Sequence, residues 1–180
     1  LIKKINACLA LITAAVFPVH CITMIGLLTG ILPFQSWFLI VAWALLYCMA
    51  AHAAISVIIF FFANEGTDVL RYWKKNIGTI VQRASAIAVI ALIHLHVMST
   101  FFSKDGCKLS ERPEMIPAAL LQLLFMFLAM VHISLSVPKA LITLGFLKSA
   151  LSQKIAWILM LVLCGLLFAS ALIGTGVYCL

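Results

Sequence analysis

Five histidines are the residues of this chain with chemistry to offer: His20, His52, His94, His96 and His132. Each stands in a strongly apolar neighbourhood. The stretch from 82 to 96, QRASAIAVIALIHLH, carries no charge after Arg83 and ends in two of the five. An imidazole placed deep in such a run loses its hydration and needs something to hold it, so it marks a functional position by default. The chemistry open to a neutral imidazole there is metal ligation, proton transfer or hydrogen bonding to a small ligand.

The elements that position these side chains follow from composition. Apolar residues make up 66% of the chain and charged residues 9%, against roughly 25% charged in a soluble domain. An all-α integral membrane protein with almost no soluble part is expected. Five spans are read at 5–32, 37–64, 79–102, 116–145 and 155–179, since a span needs about 20 apolar residues. They are too long and too uniformly apolar for barrel strands. Helices satisfy their backbone groups within the segment, as lipid demands. The first span follows Lys3 and Lys4, yet it far exceeds a signal peptide's apolar stretch of roughly 7–15 residues. No linker, low-complexity segment or inverted repeat divides the chain, so residues 1–180 are read as one domain. The chain begins at Leu1 rather than Met, and a short N-terminal piece is expected to precede it.

Charge sets the orientation. Lysine and arginine collect at the N-terminus, at Arg71, Lys74, Lys75 and Arg83, and at Lys148 and Lys154. The connection around Lys104, Lys108 and Arg112 also holds Asp105, Glu111 and Glu114. The positive-inside rule places the N-terminus inside and the C-terminus outside. The net charge of +7 is mostly this bias and carries no nucleic-acid signal.

Depth then sorts the histidines, at about 1.5 Å of rise per residue. His96 lies eight residues before Lys104, about 12 Å from the outer side. His20 falls in the outer half of the first span, some fourteen residues before the first loop. His52 and His132 come out at about 24 and 27 Å from the outer side. Two histidines at one depth on different helices are what a six-coordinate haem requires, one imidazole on each face of the ring. The expectation is a five-helix bundle enclosing two stacked b-type haems, the outer on His20 and His96, the inner on His52 and His132. His94 is two residues from His96, about 200° around the helix, so both cannot face one haem. It is read as a contact to a neighbouring helix or a quinone.

The segment RYWKKNIGTIVQRASAIAVIALIHLHV resembles the third helix of the cytochrome b membrane anchors of succinate dehydrogenases and fumarate reductases, in their five-helix, single-chain, dihaem form. In that pattern an aromatic-basic loop leads into Leu-Gln-Arg-x-Ser/Thr-Gly, and the haem histidine comes thirteen residues after the arginine; counted from Arg83 this selects His96. HISLSVPKALITLG is similar to the fourth-helix pattern, with Leu144-Gly145 and Ser152-Gln153-Lys154 in the family's later positions. The chain departs from the pattern at Ala53-Ala54, Ser134-Leu135 and Ala86. The resemblance implies electron transfer through two haem b groups between an iron–sulfur subunit, itself served by a flavoprotein subunit on the inner side, and a membrane quinone, menaquinone or ubiquinone. It implies residence in a bacterial cytoplasmic or mitochondrial inner membrane. The flavin and dicarboxylate chemistry belongs to the other subunits; this chain has no Gly-rich dinucleotide fingerprint and no cluster-type cysteine run. No acid lies in the first outer loop or within the fourth or fifth span, so a carboxylate proton pathway is not expected.

Further residues take secondary roles. Lys139, seven residues after His132 and on its face, is placed to pair a haem propionate, as is Arg83 nearby, or to snorkel to the interface. Ser85, eleven residues before His96, is small enough for a porphyrin edge to approach. A quinone site is expected on the outer side, from Gln35, Ser36, Trp37, His94 and Ser99, with Ser85 and Arg83 as the inner alternative. Arg71, Trp73, Lys74, Lys75 and Arg83 form a basic, aromatic inner rim for lipid headgroups and for the iron–sulfur subunit. The cysteines are read as small apolar fillers, and no C-x-x-C-H attaches a haem covalently. Cys107 and Cys179 both fall on the outer side, where a disulfide is open to them. Competing readings are the cytochrome of a membrane hydrogenase or formate dehydrogenase, which puts two ligands on one helix, and a haem-free anchor or small transporter.

Overall fold

The computed structural model describes residues 1–62, 72–102 and 116–179, without the side chains of Leu28, Lys75, 99–102 and 177–179. The protein is all-helical, with α1 Ile2–Leu28, α2 Ser36–Phe62, α3 Trp73–Phe102, α4 Ile116–Leu144 and α5 Ala150–Cys179. All five helices are long and apolar enough to cross a membrane. Arg71, Cys107 and the Ser99 and Cys179 side chains lie outside the described residues, and so do the five acids, Glu65, Asp68, Asp105, Glu111 and Glu114.

The helix ends differ from the sequence reading because hydropathy reports apolar length, while capping decides where a helix stops. α1 ends at Leu28 rather than 32: Gly30 takes a left-handed φ of 72°, and Leu32 N–H closes on the Gly26 carbonyl at 2.9 Å. α3 begins six residues before the apolar run, at Trp73, because polar Trp-Lys-Lys-Asn sequence at an interface is still good helix. α5 begins at Ala150 behind a capping box. Ser152 N–H donates to Ser149 Oγ at 3.1 Å and Ser149 N–H to Ser152 Oγ at 3.2 Å, satisfying two orphan amides reciprocally. α4 closes with a Schellman motif around Gly145, whose φ is 85°. Phe146 N–H bonds Leu141 O and Gly145 N–H bonds Ile142 O, each at 3.0 Å. Gly145→Ala is expected to cost about 1 kcal/mol, since an L side chain resists that φ. Thermal unfolding in detergent checks this as a lowered Tm.

α1 and α4 are the central pair. α2 packs on α1, α3 on α4, and α5 against both. Neither diagonal, α1 with α3 or α2 with α4, packs closely, nor does α2 with α3. The cation–π contact of Arg83 with Phe60, 5.0 Å from the ring centroid, links α3 to α2. Gly174 lets α5 approach α1, where a Cβ would meet Ile25 Cγ2 at 3.0 Å. A narrow core of Phe17, Cys21, Leu45, Val89, Phe125, Ala129, Met130 and Cys164 runs between the helices. The outer faces are as apolar as the core: Leu151, Leu161, Leu166 and Ile173 of α5 are each more than 60% exposed. Apolar surface on this scale does not face water in soluble proteins; lipid is its solvent.

Candidate functional site

The rings of His20 on α1 and His96 on α3 stand 6.2 Å apart between centroids, with planes at 79°. Those of His52 on α2 and His132 on α4 stand 6.5 Å apart at 56°. Each pair therefore spans one open diagonal of the four-helix arrangement. Because α1 ends at Leu28, His20 lies eight residues from the helix end, about 12 Å. That is shallower than the sequence reading and level with His96. The two layers are roughly 15–20 Å apart along the helices.

In the outer layer His96 Nδ1 donates to Gln122 Oε1, and Gln122 Nε2 donates back to the His96 carbonyl at 3.4 Å. The His96 ring stacks on Phe125, 4.7 Å between centroids. The Gln122 acceptor assigns the proton to Nδ1 and makes Nε2 the lone-pair nitrogen. His20 has no such support: its Nδ1 is buried and makes no hydrogen bond among the described residues.

The inner layer repeats the contrast. His132 Nδ1 donates to the Gln82 carbonyl at 3.0 Å, and Ser136 Oγ donates to His132 Nε2 at 3.2 Å. Ser136 Oγ in turn accepts from Gln82 Nε2 at 2.8 Å, and Gln82 Oε1 accepts from Lys139 Nζ at 2.6 Å. Lys139 also donates to Thr79 Oγ1 at 3.0 Å. Across from this network, His52 Nδ1 is buried and completes no hydrogen bond among the described residues, although the Asn6 backbone faces the ring.

The expected ligand residues are thus brought together in the expected pairs. Ser85 is buried and its hydroxyl bonds the same Gln82 carbonyl as His132, at 3.0 Å. Arg83 lies close enough to Lys139 for their charges to interact. The Lys139 ammonium rests on two neutral oxygens, with no carboxylate among the described residues. His94 is exposed on the far side of α3 from His96. Gln35, Ser36 and Trp37 are exposed at the start of α2, and the structure shows no contact between them and either pair.

Asn6, Ser56, Thr79, Gln82, Gln122 and Ser136 were not singled out by sequence. A signal was present: each inner histidine has a serine four residues on, His52 with Ser56 and His132 with Ser136, one helical turn away on the same face.

The spacing of each pair suits one metal held between two imidazoles, and in the inner pair the Ser136 hydroxyl would have to turn away from His132 Nε2 before that nitrogen could bind one. No group of three or more His, Cys, Asp or Glu able to hold a metal ion occurs among the described residues. Two imidazoles suffice only when a macrocycle brings the other ligands. Two metal–nitrogen bonds of about 2.0 Å put the ring centres about 6 Å apart, as both pairs are. The orphaned Nδ1 atoms of His20 and His52 are unlike purely structural histidines, whose buried nitrogens find partners. No family model, no curated protein and no solved structure matches this chain.

Proposed function

We propose that the protein is a dihaem cytochrome b that anchors a succinate dehydrogenase or fumarate reductase to the membrane, exchanging electrons between its iron–sulfur subunit and a quinone. The observation that carries the reading is the meeting of four histidines, from four helices, in two pairs at two depths. The haems supply one-electron carriers whose potentials depend on axial ligands and surroundings. The chain's own residues would hold and insulate these groups: His20 with His96 would hold one and His52 with His132 the other, and the apolar core keeps water out. The Lys139 ammonium, held by neutral oxygens alone, suits an anionic group such as a propionate.

Electrons enter on the basic side, at the inner pair, where Arg83 and Lys139 lie. The rim includes Trp73 and Lys74, whose Nζ sits 5.7 Å from the Trp73 ring, and it docks the iron–sulfur subunit. Quinone exchanges on the outer side, with Gln35, Ser36, Trp37, His94 and Ser99 offering donors; a quinone analogue bound beside Arg83 and Ser85 would reject that side. The test of the whole reading is a reduced-minus-oxidised spectrum of the purified chain. Two b-type haems per chain are expected, and a chain that carries none rejects it. Topology is checked separately by labelling introduced cysteines. The 63–71 connection is expected to be reactive from the inside and the 103–115 connection from the outside. Opposite accessibility overturns the orientation.

A further inference from the structure

The hydrogen bonds of the inner layer run in one direction, and both ends fix it. Lys139 Nζ can only donate, and it lies 2.6 Å from Gln82 Oε1. That contact orients the amide, so Gln82 Nε2 donates to Ser136 Oγ, at 2.8 Å. At the far end the Gln82 backbone carbonyl can only accept, so the proton of His132 sits on Nδ1, 3.0 Å away. A neutral His132 then carries its lone pair at Nε2. The Ser136 hydroxyl, 3.2 Å from it, donates its one proton there. An ammonium near the inner end of α4 thus closes, through an amide on α3 and a hydroxyl on α4, the nitrogen that a metal would need.

The same parts settle differently where the cation is missing. Seven residues after His132 stands Lys139, but seven after His52 stands Ile59. There Asn6 Nδ2 donates to Ser56 Oγ at 3.0 Å, and Ser56 Oγ donates back to Asn6 Oδ1 at 3.3 Å. Gln82 Oε1 is instead held by Lys139, which also donates to Thr79 Oγ1 at 3.0 Å. No carboxylate occurs among the described residues, and Arg83 lies close enough for the two like charges to repel. A partly buried ammonium bonds an anion more strongly than a neutral oxygen. An anion that drew Lys139 away would release Gln82 Oε1, and the Ser136 proton would have a second acceptor.

We propose that Lys139, Gln82 and Ser136 form a charge-operated latch on His132, which opens to a metal macrocycle that brings an anionic group to Lys139. Resting on the dihaem reading, the latch gives the inner layer a selectivity: a porphyrin with free carboxylates is taken over one whose carboxylates are masked. Without the anion, the Ser136 hydroxyl keeps His132 Nε2. With it, Lys139 leaves Gln82 Oε1, Ser136 donates to that oxygen as Ser56 does to Asn6, and Nε2 is open. His132 Nδ1 keeps its bond to the Gln82 carbonyl in both states, so the ring stays oriented. Lys139, Gln82 and Ser136 are positioning residues. Lys139 stands one heptad from His132 on the same face, about 10 Å along α4.

The experiment titrates the haem-free full chain with iron protoporphyrin IX and with its dimethyl ester, which has the same ring and no charge at its edge. The bis-imidazole spectrum is followed, and the inner component is the one absent from H132A. In the wild type the inner layer is expected to bind the ester at least about tenfold more weakly than the free acid, as for one hydrogen bond. A plain ion pair with Lys139 predicts that as well, so the variants decide. S136A removes the latch and K139M removes the charge that sets it. Each is expected to strengthen ester binding in the inner layer about tenfold, and K139M/S136A to add nothing further. A plain ion pair leaves the affinity for the ester unchanged in both, and that result overturns the proposal. A gain in only one of the two single variants overturns it as well. Neither substitution removes a ligand nitrogen, and the outer layer reports folding: its affinity for both porphyrins is expected unchanged. A wild type that gives no bis-imidazole spectrum with either porphyrin fails the dihaem reading itself. Two haems bound, with no gain for the ester in either variant, fails this proposal alone.

Discussion

His96→Ala loses one of two haems and His94→Ala loses neither: this is the expected result, and it is the sharpest contrast available between two residues so close in sequence. The two side chains leave α3 on different faces. His96 points into the bundle, against His20, Gln122 and Phe125; His94 is exposed. Truncating His96 removes the proposed ligand nitrogen and the bond to Gln122 Oε1, a cost of about 1–3 kcal/mol for a buried hydrogen bond. Truncating His94 touches no buried partner, so its effect on stability is expected within about 0.5 kcal/mol. The measurement is the haem-to-protein ratio of each purified variant, with the reduced α-band expected at about half the wild-type height for H96A and at full height for H94A. A haem lost from H94A instead would place the α3 register wrong by two residues.

His132→Ala in the assembled complex has the second large effect, and it reads the order of the electron path. His132 belongs to the inner layer, beside Arg83 and Lys139, where the proposed orientation brings electrons in. The outer pair lies roughly 15–20 Å further along the helices. With the inner haem gone, reduction of the outer haem by succinate through the soluble subunits is expected to fall to background, while dithionite still reduces it. The pair of reductants separates a broken relay from a damaged outer site. Succinate reducing the outer haem of H132A at the wild-type rate would show that electrons do not pass through the inner layer, and the inner-entry proposal would be abandoned.

Much of this molecule was legible in the sequence because lipid leaves few choices. A chain with 66% apolar residues, broken into five long runs, must span as helices, since no other open structure satisfies its backbone groups in hydrocarbon. The constant rise of a helix turns residue counts into depths. Those depths set His52 with His132, and His20 with His96 as the two in the outer half, although His20 comes level with His96 only because α1 stops at Leu28. The angle per residue showed that His94 and His96 cannot face the same way, and the spacing from Arg83 in the family resemblance chose His96.

What the sequence determined alone was therefore the set of spans, the two layers and the two pairs. The tertiary structure decided the rest, because it depends on which helix stands beside which. Only the packing of α2 on α1, α3 on α4 and α1 on α4 makes the histidine pairs diagonal. Only that packing brings Gln82 to His132 and Gln122 to His96, across separations of 50 and 26 residues. Helix ends were missed where caps, not hydropathy, set them, as at Gly30 after α1 and at Ser149 before α5. Lys139 shows the limit most plainly. Its position on the His132 face follows from a heptad count. Its hold on Gln82, and through Gln82 on Ser136, follows from a neighbouring helix that no count along α4 could supply, because a buried ammonium takes whichever oxygens the fold places within reach.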